Sequence, residues 1–533
     1  MSMLMVNSES EELTILGIKD GHDGALALIV GNHLSFCIEA EKDNGFRYSS
    51  ITPDVLLKVM RMIDRPLDVI AQSGWRRAVD SDCDDIGAGY AGLDNIIYSP
   101  CMMMGQKVSY FTSSHERSHL LCAYGLSPFP QGQPCYALIW EGQFGEFYRI
   151  DKDVNITSLG RVIDSPGDRF AFLYGLADPT FNLRPGQIRL SDAGKLMAIA
   201  AYGKTDKIDE DGQYIIDVLL DKHIDFRTIS KEHFQSSPYY NIGIEHSRFA
   251  TLAYHFSNAI FEIFCQFAKD VIFDRAPLLI VGGCGLNCDW NTKWIETALF
   301  SDIFVPPCSN DSGSAIGTAI DALFHTKGIA KIRWTPYAGE PAYDDIENPS
   351  HFSQEQYSPR RVAELLDKGC VLGWVQGRYE MGPRALGNRS ILAAPYPRGN
   401  LIRLNRIKNR EGFRPIAPLC LEAFMGDYFH PAHPSPYMLE FRKVISNAIP
   451  AVTHVDHSAR PQSVNESQNP RMHQLLTEYK KVSGIGVLCN TSLNFHGRGF
   501  INRLSDLCRF TLEHELDGFI FNDTLFLNTG PKQ

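Results

Sequence analysis

From Ile15 to Glu39 the chain reads ILGIKDGHDGALALIVGNHLSFCIE: an apolar run, Asp20-Gly21, a second apolar run, a polar turn and a third apolar run. β-Branched and aromatic residues fill the runs while Gly, Asn and Asp break them, which predicts three short strands joined by turns. Residues 136–160, YALIWEGQFGEFYRIDKDVNITSLG, repeat that order, with Glu141-Gly142 standing where Asp20-Gly21 stood. A three-strand unit that occurs twice, with an acid at its first turn each time, predicts a duplicated, two-lobed α/β fold. Ser247 to Ile272 carries apolar residues at helical spacing and predicts a buried helix, with His255 as a core residue. It leads into LLIVGGCGLN, a buried strand and a glycine turn. Gly282, Gly283 and Gly285 would let backbone N–H groups approach a phosphate or ribose, or would simply make a tight turn. Residues 333–357, rich in Pro, Gly, acids and aromatics and without a period, predict an inter-domain linker. A second α/β pattern follows, RVAELLDKG as helix and CVLGWVQG as strand.

Composition narrows the class. A chain of 533 residues calls for more than one core. It is 44% hydrophobic and 21% charged, as folded proteins are. A net charge of -11 argues against nucleic acid as a partner. No apolar run reaches the ~20 residues of a membrane span, so no membrane role is expected. The opening MSMLMVNSESEE is acidic where a signal peptide is basic and then apolar. The 13 cysteines are scattered with no CxxC pair, which reads as reduced thiols in a cytoplasmic enzyme.

Three stretches carry candidate chemistry. SSHERSHLLCAYG, Ser113 to Gly125, spells His-Glu-x-x-His, the helix of a zinc protease with Glu116 as base. Histidines at i and i+4 share one helix face and suit joint metal coordination whatever the reaction. Glu141 lies 22 residues after His119, but in a strand pattern where a protease would place a helix. From Val371 to Arg414 nine basic residues (378, 384, 389, 398, 403, 406, 408, 410, 414) face two acids, 380 and 411. Several stand beside Gly and Pro, where side chains can be held still, and their chemistry suits a phosphate-bearing small molecule. LCNTSLNFHGRG offers Asn490, Ser492 and Asn494 for substrate or for turn hydrogen bonds.

Together these blocks resemble a known family. GRYEMGPRALGNRSIL, LNRIKNREGFRPIAP, HVDHSARPQ and VLCNTSLN, with GHDGALAL, the HxxxH segment and DIFVPPCSNDSGSAIGTAI, are similar to the O-carbamoyltransferases of natural-product biosynthesis, the NodU/CmcH family. The opening GHDGALAL and EAEKD look most like the branch that carbamoylates the hydroxymethyl group of cephem antibiotics. The resemblance implies an actin-like domain related to threonylcarbamoyl transferase over residues 1–340. It implies an α+β YrdC-like domain over 341–533. The second would convert carbamoyl phosphate and Mg2+-bound ATP into carbamoyl-adenylate. The first would move the carbamoyl group onto an alcohol with the help of Fe2+ or another divalent metal.

By the same resemblance His115, His119 and Asp311 are metal ligands, and Glu141 stands where the family has an aspartate ligand. Asp20, His22 and Asp23 match the catalytic cluster, with His22 as the base, oriented by Asp20 or Asp23. Gly283, Gly285, Asn287, Asp192 and Lys195 would position the adenylate. Arg384, Arg389 and Ser390 would hold carbamoyl phosphate, Lys408 and Arg414 the ATP phosphates, and Asn490, Ser492 and Asn494 the carbamoyl group or its surroundings. The expected partner is a small hydroxylated acceptor, and the expected state a monomer or homodimer. A protease would leave Arg384 to Arg414 unexplained, and Glu116 then falls to the surface or a supporting position. The stronger rival is an actin-like small-molecule kinase, which would release ADP where a carbamoyltransferase releases AMP and pyrophosphate.

Overall fold

In the computed structural model, residues 12–76, 85–103, 105–203, 207–347 and 349–530 are described, so most of the acidic opening segment lies outside the described residues. The first repeat folds as β1 (Thr14–Lys19), β2 (Ala25–Val30) and β3 (His33–Glu39), followed by β4 (Val69–Ser73), β5 (Ile96–Met103) and β6 (Gln106–Ser113). The second folds as β7 (Cys135–Trp140), β8 (Phe144–Ile150) and β9 (Ile156–Asp164), followed by β10 (Leu278–Val281) and β11 (Ile303–Phe304). The sheet orders are β3-β2-β1-β4-β6-β5 and β9-β8-β7-β10-β11. In each, the first three strands are antiparallel and β4 and β6 of the first sheet, like β10 and β11 of the second, run parallel to the first strand, while β5 pairs antiparallel with β6 at the edge of the first sheet. Apart from that edge strand both sheets have one topology, the duplicated arrangement that the sequence repeat predicts. β7 and β10 are buried along their whole length, which is why they read as continuous apolar runs and do not alternate.

Two helices are exchanged between the lobes. The helix His115–Leu126 ends the first lobe in sequence, yet it packs on β7 and β10 of the second sheet. The helix Ser314–Lys327 ends the second lobe and packs on β1, β2 and β4 of the first. They cross in contact, and Gly317 makes that possible, since a Cβ there would lie 1.7 Å from the Ser118 carbonyl oxygen; Gly17 on β1 likewise lets the second helix sit close on its sheet, since a Cβ there would lie 2.0 Å from the Ala315 carbonyl oxygen. Arg117 ties the pair with a two-pronged bond to Asp321, at 2.8 and 2.7 Å.

The C-terminal part forms an eight-stranded mixed sheet. Its strands come from β12 (Phe352–Gln356), β13 (Leu372–Val375), β14 (Arg389–Ala393), β15 (Ala417–Leu421), β19 (Gln462–Val464), β20 (Val487–Ser492), β21 (Gly518–Phe521) and β22 (Thr524–Asn528). Their order is β12-β22-β21-β13-β14-β20-β15-β19, and the short β16 (Phe429–His430), β17 (Arg442–Val444) and β18 (Ser458–Ala459) make a small sheet of their own. This part is fastened to both lobes. Lys42 donates to the carbonyls of Glu380 and Gly382, and Asn291 donates to that of Leu439.

Two local expectations need correction. The stretch read as a linker is bonded along its length: Leu34 and Cys37 donate to the carbonyls of Arg333 and Ala338, and β12 begins within it. His255 is half-buried on its helix with its ring against Tyr254, because it lies off the apolar face that packs inward. Every described cysteine is free, and no described helix is long and apolar enough to cross a membrane.

Gly317→Ala forces a methyl into the crossing, and overpacking of this kind costs about 1–3 kcal/mol. It is expected to lower the calorimetric unfolding midpoint. Gly194→Ala, where a Cβ meets nothing within 4 Å on the helix Asp192–Ala200, is expected to leave the midpoint equal or higher.

Candidate metal centre and cationic cleft

The helix exchange brings four buried side chains to one point. Ser114 caps the helix His115–Leu126 by accepting from the Arg117 amide, which sets His115 and His119 one turn apart on its inner face. Glu141 follows β7 directly, and Asp311 opens the 3₁₀ turn before the helix Ser314–Lys327. The two Nε2 atoms lie 3.1 Å apart. Glu141 Oε2 is 3.6 Å from each, and Asp311 Oδ1 is 3.7 Å from His115 Nε2 and 3.4 Å from His119 Nε2. Metal bonds of 2.0–2.1 Å give a tetrahedron with edges of about 3.4 Å. The four atoms therefore have the spacing of a ligand set and could hold a divalent cation.

Electrostatics agree with the spacing. Burial lowers His115 to about 4. Burial would lower His119 as well, but bonds to Asp311 and Glu141 outweigh it and raise the group to about 9. Against its own burial penalty, Glu141 is held down to about 2 by the two imidazoles, and His115, His22 and Lys19 hold Asp311 well below its usual range. His119 is thus the imidazole that holds a proton and His115 the neutral one.

The surroundings are residues that the motifs do not include. Tyr90 donates to Glu141 Oε1 at 2.8 Å and stacks on His115, while Trp75 meets His115 edge-on. Lys19 is fully buried, 3.6 Å from Asp311 Oδ2 and 3.5 Å from the Trp75 ring centroid. Glu116 is buried too, not on the surface. Its oxygens accept from Tyr148 Oη at 2.7 Å and from the Gly92 amide at 2.6 Å, so neither is free to act as a protease base.

His22 stands at the mouth of this centre, partly exposed, with Nε2 3.5 Å from Asp311 Oδ2. That carboxylate orients it, not Asp20 or Asp23 as expected. Asp20 accepts from Gln72, and Asp23, in the left-handed region at φ 53°, accepts from Asn310. Burial, then repulsion from Asp311, raises Asp23.

Seven of the nine basic residues of the segment divide into two groups, and Arg398 and Arg406 are exposed. Arg378 and Arg403 are structural, bonded to backbone carbonyls and Asp517. Arg389 is also structural, a correction to its expected role. All five of its N–H groups go to Asn502 and to the carbonyls of Gln376, Gly377 and Asn388, leaving no donor for a phosphate. Lys408, Arg384, Arg410 and Arg414 instead converge with Arg460, and Arg47 reaches in from the first lobe. Burial and then these neighbouring cations push Arg384 and Arg410 down to about 9 and Lys408 well below its normal value. Lys408 gives its three donors to Ser492 O and to Asn494 O and Oδ1, so it has no free N–H for a ligand. Ser492 and Asn494 bond each other and the local backbone, which is the turn alternative and not substrate contact. By contrast, the Arg384 and Arg460 Nε, Ser390 Oγ and Asn490 Oδ1 atoms are buried without a hydrogen-bond partner. The unsatisfied arginine and serine donors amid crowded cations call for an anionic ligand, while Asn490 Oδ1 is an acceptor.

The two centres border one another. Arg384 donates to the Leu286 carbonyl at 3.0 Å, inside the glycine turn, which is a 3₁₀ helix over Gly283–Leu286. Gly283 faces open space, and Gly285 lies against Ser309. Asn287 uses its oxygen to cap the helix Cys288–Thr297 while its amide nitrogen is buried and unpartnered. Lys195 lies 3.4 Å from Asp192 and 3.3 Å from Glu411, joining the second lobe to the cationic cleft. Lys19, Trp75, Tyr90, Arg47 and Arg460 were missed from sequence. Only Lys19, beside Asp20, and Arg460, in HVDHSARPQ, had a local signal.

Two family descriptions match the chain: carbamoyltransferase N-terminus over residues 96–320 and carbamoyltransferase C-terminus over residues 363–528. A 3'-hydroxymethylcephem-O-carbamoyltransferase of Amycolatopsis lactamdurans is 42% identical over 516 residues, covering 96% of this chain and 99% of the relative. Another, of Streptomyces clavuligerus, is 41% identical over 517 residues with the same coverage. Nodulation protein U of Rhizobium tropici is 33% identical over 552 residues, covering 93% and 94%. The chain belongs to the carbamoyltransferase family and is an enzyme of that class.

Proposed function

We propose that this enzyme is an ATP-dependent O-carbamoyltransferase that acts on the hydroxymethyl group of a cephem-type natural product. The observation that carries the reading is the adjacency of a His-His-Glu-Asp cluster and a buried cationic pocket with unsatisfied donors. The cephem acceptor rests on the relatives at 41–42% identity over nearly the whole chain. With the division placed at residues 340 and 341, the C-terminal, YrdC-like part forms carbamoyl-adenylate and the actin-like part transfers it.

In the first half-reaction, water releases phosphate from carbamoyl phosphate to leave carbamate. A carbamate oxygen then attacks the α-phosphorus of Mg2+-bound ATP and displaces pyrophosphate. Arg384, Arg410, Arg414 and Arg460 bind the phosphate oxygens, Lys408 braces the Ser492–Asn494 turn beside them, and Ser390 and Asn490 contact the carbamoyl end. Lys195 and Asp192, with the Gly283–Asn287 turn, position the adenylate for transfer. In the second, the acceptor oxygen attacks the carbamoyl carbon, the bond to AMP breaks, and His22 takes the hydroxyl proton, held toward the site by Asp311. His115, His119, Glu141 and Asp311 would hold Fe2+ or another borderline divalent ion, which when bound supplies Lewis-acid polarisation of the carbamoyl oxygen. A kinase on the same actin-like lobes would give ADP, so the nucleotide product separates the two readings.

Elemental analysis is expected to find about one divalent ion per chain in the wild type and a several-fold loss in His119→Ala. His119 must shed a proton to bind a cation. Below its value of about 9, metal affinity is therefore expected to rise about tenfold per pH unit, and above it to level off. Titration with a competing chelator measures this, and affinity that falls as pH rises contradicts the assignment.

Pyrophosphate release from ATP and carbamoyl phosphate, with and without a 3'-hydroxymethyl cephem, tests the two half-reactions. Arg414→Ala is expected to lose adenylate formation at least tenfold and to keep transfer from supplied carbamoyl-adenylate, with His119→Ala doing the reverse. Loss of the same half-reaction in both variants would overturn the two-site reading.

A further inference from the structure

We propose that Tyr90 and Lys19 are positioning residues that keep Glu141 and Asp311 monodentate ligands, each by engaging the carboxylate oxygen turned away from the cation. The inference rests on the metal assignment made above and extends it to the shape of the coordination shell.

The oxygens of each carboxylate have separate neighbours. Glu141 Oε2 lies 3.6 Å from both imidazole Nε2 atoms, while Oε1 accepts from Tyr90 Oη at 2.8 Å. Asp311 Oδ1 lies 3.7 and 3.4 Å from the same two nitrogens, while Oδ2 faces Lys19 Nζ at 3.6 Å and His22 Nε2 at 3.5 Å. One oxygen of each carboxylate is thus directed to the shared cation position and the other to a fixed donor.

Both donors are held in place. The Tyr90 ring stacks on His115 with centroids 4.8 Å apart and meets Trp75 and Phe144 edge-on at 5.3 and 6.1 Å. Lys19 is fully buried, donates to the His22 carbonyl at 3.2 Å and stands 3.5 Å from the centroid of the Trp75 ring. Gly21 closes over the ammonium, since a Cβ there would lie 2.9 Å from Nζ. Neither side chain is positioned to bind the ion itself, because each stands on the far side of a ligand's second oxygen.

The number of oxygens that reach the ion decides what it can do. Carboxylates bind divalent cations through one oxygen or through both. Two imidazoles with two bidentate carboxylates would fill an octahedral shell and leave no place for a substrate oxygen. With one oxygen from each carboxylate the shell keeps open positions, and Lewis-acid polarisation of a carbamoyl oxygen requires one. A buried carboxylate oxygen deprived of its donor is costly and turns to the next positive charge. For Glu141 Oε1 without Tyr90, that charge would be the ion.

Co2+ serves as the probe in full-length enzyme, with azide as a small ligand that reports open positions through the Co2+ absorption spectrum. Wild type is expected to hold Co2+ and to respond to azide, and His119→Ala to lose both. Tyr90→Phe keeps the ring and its packing and removes only the hydroxyl. It is expected to weaken azide binding about fivefold or more and to slow transfer from supplied carbamoyl-adenylate about tenfold or more. Its Co2+ affinity, read by chelator competition, is expected to equal or exceed that of wild type, with an unfolding midpoint within a few degrees. Lys19→Met is expected to shift azide binding in the same direction, and Lys19→Arg, which keeps the charge, to restore it. Azide binding that is unchanged or stronger in Tyr90→Phe, or Co2+ affinity that falls, overturns the proposal and leaves the metal assignment intact. Wild type that holds no Co2+ at these side chains overturns the metal assignment and this inference with it.

Discussion

The crossing of the helices His115–Leu126 and Ser314–Lys327 is the contact on which the rest of the molecule depends. Each helix belongs by sequence to one lobe and by packing to the other, so the lobes cannot separate without exposing both apolar faces. The crossing tolerates no side chain at Gly317. It also brings the start of one helix, with its two histidines, beside the turn that opens the other, with Asp311. Glu141 completes the group because β7 ends under that crossing. A ligand set drawn from 115, 119, 141 and 311 thus follows from one packing decision.

Charge organises what surrounds it. The metal centre gathers acids in a buried space, with Lys19 as their fixed counterion, and the neighbouring cleft gathers cations with Glu411 among them. Buried like charges repel and raise the free energy of the fold. Their persistence in two adjacent and opposite clusters marks sites built for ligands, a cation in one and phosphates in the other.

Much of the fold was legible in the sequence because duplication survives in the apolar pattern. The two three-strand units, their acids at the first turn and the long amphipathic helix all stand where periodicity placed them. His115 and His119 were legible as a pair because i, i+4 spacing is a local property, and Glu141 because it stands where the repeat puts an acid. The failures are non-local. Arg389 reads like a phosphate ligand beside glycine and proline, but the chain folds so that carbonyls consume its donors. Lys408 and Asn494 satisfy each other, and His22 turns to a carboxylate almost 290 positions away. Arg47 and Tyr90 carry no motif and acquire meaning only when the tertiary fold sets them against distant residues.

X-ray absorption spectroscopy of the purified enzyme loaded with Fe2+ tests the central claim most directly. The account predicts one ion bound by two imidazole nitrogens at about 2.1 Å and by carboxylate oxygens, with the imidazole signal lost in a His115→Ala, His119→Ala double variant. An ion held only by oxygen, or an imidazole signal that survives the double substitution, would contradict it.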